Sequence, residues 1–224
     1  MQKNMNDIFY FIYLSFKNIS PLRIFQIIES KKLILNGLCL ELGASEKPDK
    51  NFSNYIKGKC KFNYSNLNIK NKSDSFKMDL TKKFKLKQNK YKYILIFNVL
   101  EHLNKHSFCL YEIKRVLKKN GSIFGSTPFI YQIHGAPKDY YRFSKDFYLS
   151  ELKKIGYKKI VVKPLGYGPL IACFSLVYSY LKFLPIFSQI IIILCILLDM
   201  ILQIFIKTKL KEIYPIGYFF SANK

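Results

Sequence analysis

The sequence predicts a three-layer α/β fold on a mostly parallel sheet, with a hydrophobic helical insertion before the last strand. Residues 93–97 are a short apolar run of strand-forming side chains ending at Asn98, as in a strand buried on both faces. Residues 103–119 then carry Leu110, Ile113, Val116 and Leu117 on one helical face, with Lys114, Arg115, Lys118 and Lys119 opposite or at the end. Asn120-Gly121 is read as the stop of that helix, and residues 122–126 as a second strand halted by Thr127-Pro128. This is a strand–helix–strand unit, and its loops lie where open α/β sheets bind ligands.

The chain has 224 residues, half of them hydrophobic, enough for one α/β domain with a proper core. Its formal net charge of +23 points to an anionic membrane or a nucleic acid. The lysines are scattered, with no arginine stripe, and Asn, Ile, Phe and Tyr are also abundant, so compositional bias accounts for much of the charge. Of the two specific partners the membrane surface is favoured and nucleic acid is not expected. Cys39, Cys60, Cys109, Cys173 and Cys195 form no C-x-x-C pair and suit buried, reduced thiols in a cytosolic setting. Asp7 interrupts the apolar N-terminus and no small-residue cleavage site follows, so no signal peptide is expected.

Asn98-Val99-Leu100-Glu101-His102-Leu103, then Arg115-Val116-Leu117-Lys118-Lys119-Asn120-Gly121, then Ser126-Thr127-Pro128-Phe129 are similar in order and spacing to a known set. They resemble the segments that follow the cofactor turn in class I S-adenosylmethionine-dependent methyltransferases of the type 11-like group. The resemblance covers about residues 38–162 and the closing strand, and implies a Rossmann-like fold with a seven-stranded sheet. S-adenosylmethionine is then the expected cofactor.

Along the chain, residues 8–16 and 22–28 read as two helices covering the sheet, the second opened by Ser20-Pro21. Phe9, Tyr10, Phe11 and Tyr13 leave an interfacial anchor open as the alternative. Residues 37–45 are the first strand and its turn. There the resemblance assigns Glu41, Gly43 and Ser45 to the methionine and ribose portions of the cofactor, glycine allowing close backbone approach. Ala44, Ser45 and Glu46 stand where further glycines are common. Residues 59–69 hold the second strand, and Asn68 takes the place of an acidic residue that accepts from the ribose hydroxyls; its amide carbonyl still accepts. Asp79 is implied as acceptor for the adenine amino group, although the residues alone also read it as opening a loop before Lys82-Lys83. By the same resemblance Asn98 and Leu100 form the pocket wall, and Glu101 and His102 line it.

Residues 131–143, YQIHGAPKDYYRF, follow the second strand of the unit at its carboxyl end, where substrate sits. His134 is the candidate general base for methyl transfer to a hydroxyl. Arg142 is the candidate fork for a carboxylate or phosphate, and Tyr141 stands between as a third catalytic candidate. Asp139 and Arg142 pairing only to fix the loop is the alternative, and Gly135 and Pro137 shape it. The His…Pro…Asp-Tyr-Tyr-Arg-Phe pattern resembles methyltransferases of cell-surface polysaccharide gene clusters, which implies a glycan or lipid-linked acceptor. His102 and His106 beside Glu101 do not make H-E-x-x-H, and no further cluster offers a third ligand, so no metal is expected and His106 is read as a solvated helix residue.

Residues 144–155 read as a helix capped by Ser144, closed by Gly156, with the next strand at 157–162. Residues 165–206 differ in kind: two apolar runs, 170–184 and 186–206, are hinged at Pro185 and interrupted only by Lys182, Gln189, Asp199 and Gln203. Residues 215–220 form the closing strand. Four segments follow: 1–32 helical, 33–164 core, 165–211 insertion, 212–224 closing strand. The flanking strands must meet in one sheet, which excludes a single membrane crossing. A shallow insertion at the inner face of the cell membrane is expected, with a soluble helical pair as the alternative. A non-catalytic scaffold and an RNA methyltransferase are the rival functions.

Overall fold

The computed structural model describes residues 2–135 and 138–224; Pro137, expected to shape the acceptor loop, lies outside them. The strands are β1 (Gly37–Leu42), β2 (Cys60–Asn66), β3 (Ser75–Lys77), β4 (Tyr91–Phe97), β5 (Leu117–Pro128), β6 (Lys158–Leu165) and β7 (Gly217–Asn223). The helices are α1 (Gln2–Ser15), α2 (Pro21–Lys31), α3 (His106–Val116), α4 (Lys145–Ile155), α5 (Pro169–Leu181), α6 (Pro185–Phe205) and α7 (Leu210–Ile213). One seven-stranded sheet runs in the order β3-β2-β1-β4-β5-β7-β6. The pairs β1–β2, β1–β4, β2–β3 and β4–β5 are all parallel. β7 is antiparallel to β5, because Lys224 N donates to Gly121 O and Phe129 N donates to Ile216 O. This is the Rossmann-like, mostly parallel sheet that the sequence predicts.

Two compact units make up the chain. The first comprises Ser30–Thr127, Ile133–Lys163 and Phe219–Lys224, and holds most of the sheet. Leu40, Ile94, Leu95, Ile96 and Ile123 are fully buried there, as strands covered on both faces require. The second comprises Met1–Glu29, Pro128–Gln132 and Pro164–Tyr218, and so joins the N-terminal helices to the insertion. Within it Phe11, Phe25 and Tyr167 form an aromatic cluster, and Ser15 Oγ donates to Gln189 Oε1. Ile216 N donates to Leu165 O, so the two ends of the insertion meet side by side.

Three local expectations are corrected. α3 ends at Val116, and β5 starts at once with Leu117 paired to Tyr91. Asn120-Gly121 is therefore a bulge inside β5, where the register jumps from Tyr91↔Leu117 to Tyr93↔Ser122. Asn120 takes φ 62°, and a Cβ on Gly121 would meet Lys92 O and Lys118 O at 2.8 and 2.9 Å. Propensity alone does not separate a helix stop from a bulge, since both favour Asn-Gly. His106, expected as a solvated helix residue, sits among Tyr141, Phe143 and Phe147, and burial lowers its pKa. Cys173 is exposed, whereas Cys39 and Cys109 are buried.

Candidate active site

Parallel pairing brings the carboxyl ends of β1 and β4 side by side, and two clusters form there. The first is the turn after β1. Gly43 has φ +71°, and a Cβ added to it would fall inside the van der Waals shell of Val99 Cγ2. The turn thus lies directly against the segment that follows β4. Glu41 is buried and accepts from Phe52 N at 2.8 Å and Ser53 N at 3.0 Å, so its carboxylate fixes the loop beside the turn. Ser45 N donates to Asn51 Oδ1 at 2.7 Å, closing the same loop. A cavity of about 520 Å³ opens beside the turn, lined among others by Ser45, Asn51, Tyr64, Asn68 and Asp74. Its size is that of a small-molecule site.

The structure therefore brings Ser45 and Asn68 to one cavity. Asp74, which sequence reasoning missed, supplies there the charge that Asn68 lacks; no sequence signal marks it, because it lies beyond the strand in a lysine-rich loop. Asp79 is engaged elsewhere. It accepts from Thr81 N and Thr81 Oγ1 at 2.9 and 2.7 Å and pairs with Lys82 at 3.3 Å. Those hydrogen bonds lower its pKa, Thr81 first, so Asp79 opens a local turn. Leu100 is fully buried core, and Asn98 adopts φ 52° with its N–H donating to Ser126 O at 2.8 Å.

The second cluster joins the turn Leu100–His102 to the acceptor loop. Tyr140 N and Tyr141 N both donate to Glu101 O, at 2.9 and 3.3 Å. His102 Nδ1 donates to Lys138 O at 2.6 Å. These bonds dock the loop so that His134 Nε2 stands 3.9 Å, and His102 Nε2 3.8 Å, from Glu101 Oε1. Glu101 is fully buried, and neither carboxylate oxygen has a hydrogen-bond partner among the described residues. Burial pushes its pKa up to about 8. Glu101 and His102, expected at the cofactor, thus face the acceptor loop. Arg142 is corrected too: its guanidinium grips both oxygens of Asp139, so its fork is occupied rather than open to an acceptor anion. Asp139 accepts in turn from His134 N at 2.9 Å and lies 3.3 Å from His134 Nδ1. Tyr141 stacks on Phe143 and meets His106 edge-on, which places it at the rim of the cluster.

A family model described as a methyltransferase domain matches residues 53–125. No curated protein matches the sequence. Among solved structures, phosphoethanolamine N-methyltransferase 2 of Haemonchus contortus, in complex with S-adenosyl-L-methionine, superposes with a TM-score of 0.56 at 14% identity. The match covers 89% of this chain and 52% of that one, so the chain spans about half its length. A SAM-dependent methyltransferase from Archaeoglobus fulgidus gives 0.56 at 13% identity over 91% and 92% of the two chains. A possible histamine N-methyltransferase from Thermotoga maritima gives 0.56 at 14% over 99% and 97%. At such identities the likeness is one of fold. Sheet order and fold define a Rossmann-like methyltransferase architecture. The family model covers the central segment 53–125, within a chain whose fold is that of these methyltransferases.

Proposed function

We propose that the chain transfers a methyl group from S-adenosylmethionine to an oxygen of a glycan or lipid-linked glycan intermediate. The observation that supports this best is the meeting of the Gly43 turn and the Glu101–His134 cluster at the ends of two adjacent strands. The residues present fit the cofactor. The turn from Gly43 to Ser45 offers close backbone approach, and Asn68 and Asp74 offer acceptors in the cavity for ribose hydroxyls. When bound, the cofactor supplies an electrophilic methyl on a sulfonium. The acceptor hydroxyl loses its proton at the Glu101–His102–His134 cluster, and Asp139, held by Arg142, orients His134. Calorimetric titration with S-adenosylmethionine and S-adenosylhomocysteine tests the reading. Saturable binding of both is expected, while no binding at millimolar concentration would leave a scaffold protein. The oxygen acceptor is carried by the loop's resemblance to polysaccharide-cluster enzymes. A panel of glycan, glycolipid and amine acceptors decides it.

We further infer that the second unit lies on an anionic lipid surface. α6 is long and apolar enough to cross a membrane by length and composition. Its polar residues Ser188, Gln189 and Asp199 are buried, whereas Ile190, Leu194, Leu197 and Ile201 are about half exposed. Such an inside-out pattern suits lipid. Asp199, the one acid of α6, accepts from Leu170 N and Ile171 N at 3.0 Å each and caps α5, so it presents no charge outward. Exposed Tyr180, Phe183 and Ile186 extend the apolar face, and Lys182, Lys207 and Lys209 border it with the charge that anionic headgroups attract. Because Leu165 and Ile216 are hydrogen-bonded neighbours, the segment returns to where it started, and shallow insertion fits better than a single crossing.

A further inference from the structure

The acceptor loop carries the upper end of an aromatic stair. Phe220 stacks on Tyr148 with ring centroids 4.5 Å apart, and Tyr148 meets Phe143 at 5.8 Å. Phe143 stacks on Tyr141 at 5.3 Å, and Tyr141 leans on Tyr140 at 6.0 Å. Phe220, Tyr148 and Phe143 are 0, 0 and 4% exposed, whereas Tyr141 and Tyr140 are 37 and 43% exposed. We propose that Tyr140 and Tyr141 form the face on which a pyranose ring of the acceptor lies. This deepens the methyl-transfer reading and rests on it for its purpose.

The two rings are held in place as well as exposed. Tyr140 N and Tyr141 N donate to Glu101 O at 2.9 and 3.3 Å, which fixes the backbone beneath them to the turn that carries the buried Glu101 carboxyl. Phe143 lies along the Tyr141 ring, and His106 meets it edge-on at 4.8 Å, so the side chain has little room to turn. Single exposed aromatics are ordinary on protein surfaces. Two neighbours on one anchored loop, beside the Glu101 cluster, form a continuation of that site. Tyrosine suits such a place because it gives a large, stiff contact area at small entropic cost.

The chemistry around the rings selects the occupant. A pyranose presents slightly positive C–H bonds on its faces and hydroxyls around its edge. The negative face of an aromatic ring takes the first, and a phenol hydroxyl, both donor and acceptor, takes the second. A cation is also drawn to such rings, but the loop offers it no free charge. Its one acid, Asp139, is gripped through both oxygens by Arg142, and its exposed ion is Lys138. The face therefore suits a neutral sugar or one bearing a carboxylate, and not a quaternary amine. An acyl chain gives the phenol hydroxyls no partner.

The test uses the full chain and saturation-transfer NMR, with methyl glucopyranoside, methyl glucuronide, choline and octanoate as probes and irradiation of aromatic protons. The chain has no tryptophan, so tyrosine, phenylalanine and histidine rings are the only sources of the transferred signal. Saturation of the ring C–H protons of both glycosides is expected, with choline silent. Tyr140→Ala and Tyr141→Ala should each weaken glycoside binding about 10-fold, while Tyr141→Phe, which keeps the ring, should weaken it less than about 3-fold. Wild-type circular dichroism in the alanine variants guards against loss of fold. Glycoside signals that are absent from wild type, unchanged in the double alanine variant, or exceeded by those of choline or octanoate overturn the proposal. Calorimetric titration with S-adenosylhomocysteine in parallel separates the two readings. Cofactor bound without glycoside sinks the sugar face alone, and glycoside bound on these tyrosines without cofactor supports the face while sinking methyl transfer.

Discussion

Gly43 is required by the protein before any ligand is considered. Its φ of +71° disfavours other residues, and any Cβ collides with Val99. Gly43→Ala should cost about 2–4 kcal/mol, strain and overpacking together. Urea unfolding reads this, and adding Val99→Ala should recover the packing share; an unmoved midpoint in the single variant would show that the clash is absorbed. The substitution therefore damages the fold as well as the cofactor site, so a binding assay on it needs a stability control. His134 offers the cleaner functional test, standing on a loop. His134→Ala should lower turnover by about 10²–10⁴-fold with cofactor affinity nearly unchanged. Unaltered turnover would remove it from the chemistry.

The helix–strand unit is held by a contact that explains a residue the family resemblance singled out without a reason. Arg115, on α3, reaches Glu112 with two nitrogens at 2.8 Å each and also donates to Leu86 O and Phe84 O at 3.0 and 2.9 Å. Glu112 accepts in addition from Phe84 N at 2.9 Å. Helix and loop are latched by one partly buried ion pair. The Arg115 hydrogen bond, ahead of all other causes, holds the Glu112 carboxyl below its ordinary pKa. A folded pKa below the unfolded one means stability that is present above about pH 4.3 and lost as pH falls through the folded value. Glu112→Gln should lower stability by about 2–4 kcal/mol at neutral pH. The gap to wild type should narrow in acid. Denaturation curves that stay equally far apart at low pH would contradict this. At α4 the Ser144 side chain accepts from Phe147 N at 3.3 Å, and Ser144→Ala should cost about 1 kcal/mol in the same assay. Here the sequence was legible at both ends, the Ser144 cap and the αL Gly156 standing where expected, while the face that α4 buries is set by Tyr148 and Leu152 and Leu149 is exposed.

For the whole molecule, the charge of +23 and the outward apolar face of α6 make one joint prediction. The protein should float with vesicles containing anionic lipid and be weakened but not released by salt, because apolar insertion supplements the electrostatic attraction. Replacing Ile190, Leu194 and Ile201 together by lysine should abolish flotation while leaving cofactor binding intact. Wild-type protein that stays with the vesicle-free fraction, or a variant that still floats, would count against lipid. A dimer that dissociates on the same substitutions would assign the face to a second copy.

Sequence by itself determined the class of fold, because strand runs, helical spacing and the order of the Gly43, Glu101 and Arg115 segments are local signals repeated along the chain. It also marked 165–206 as different in kind by apolar density alone. Three things were decided only in three dimensions. Asn120-Gly121 became a bulge because Leu117 found Tyr91, a partner that local propensity does not contain. Glu101 and His102 turned from the expected cofactor pocket to the acceptor loop because two amides of that loop bind the Glu101 carbonyl. His134 joined Glu101 and His102 from beyond the next strand, a neighbour that sequence spacing does not contain. Contacts between residues far apart in sequence depend on chain closure, and closure leaves no periodicity to read.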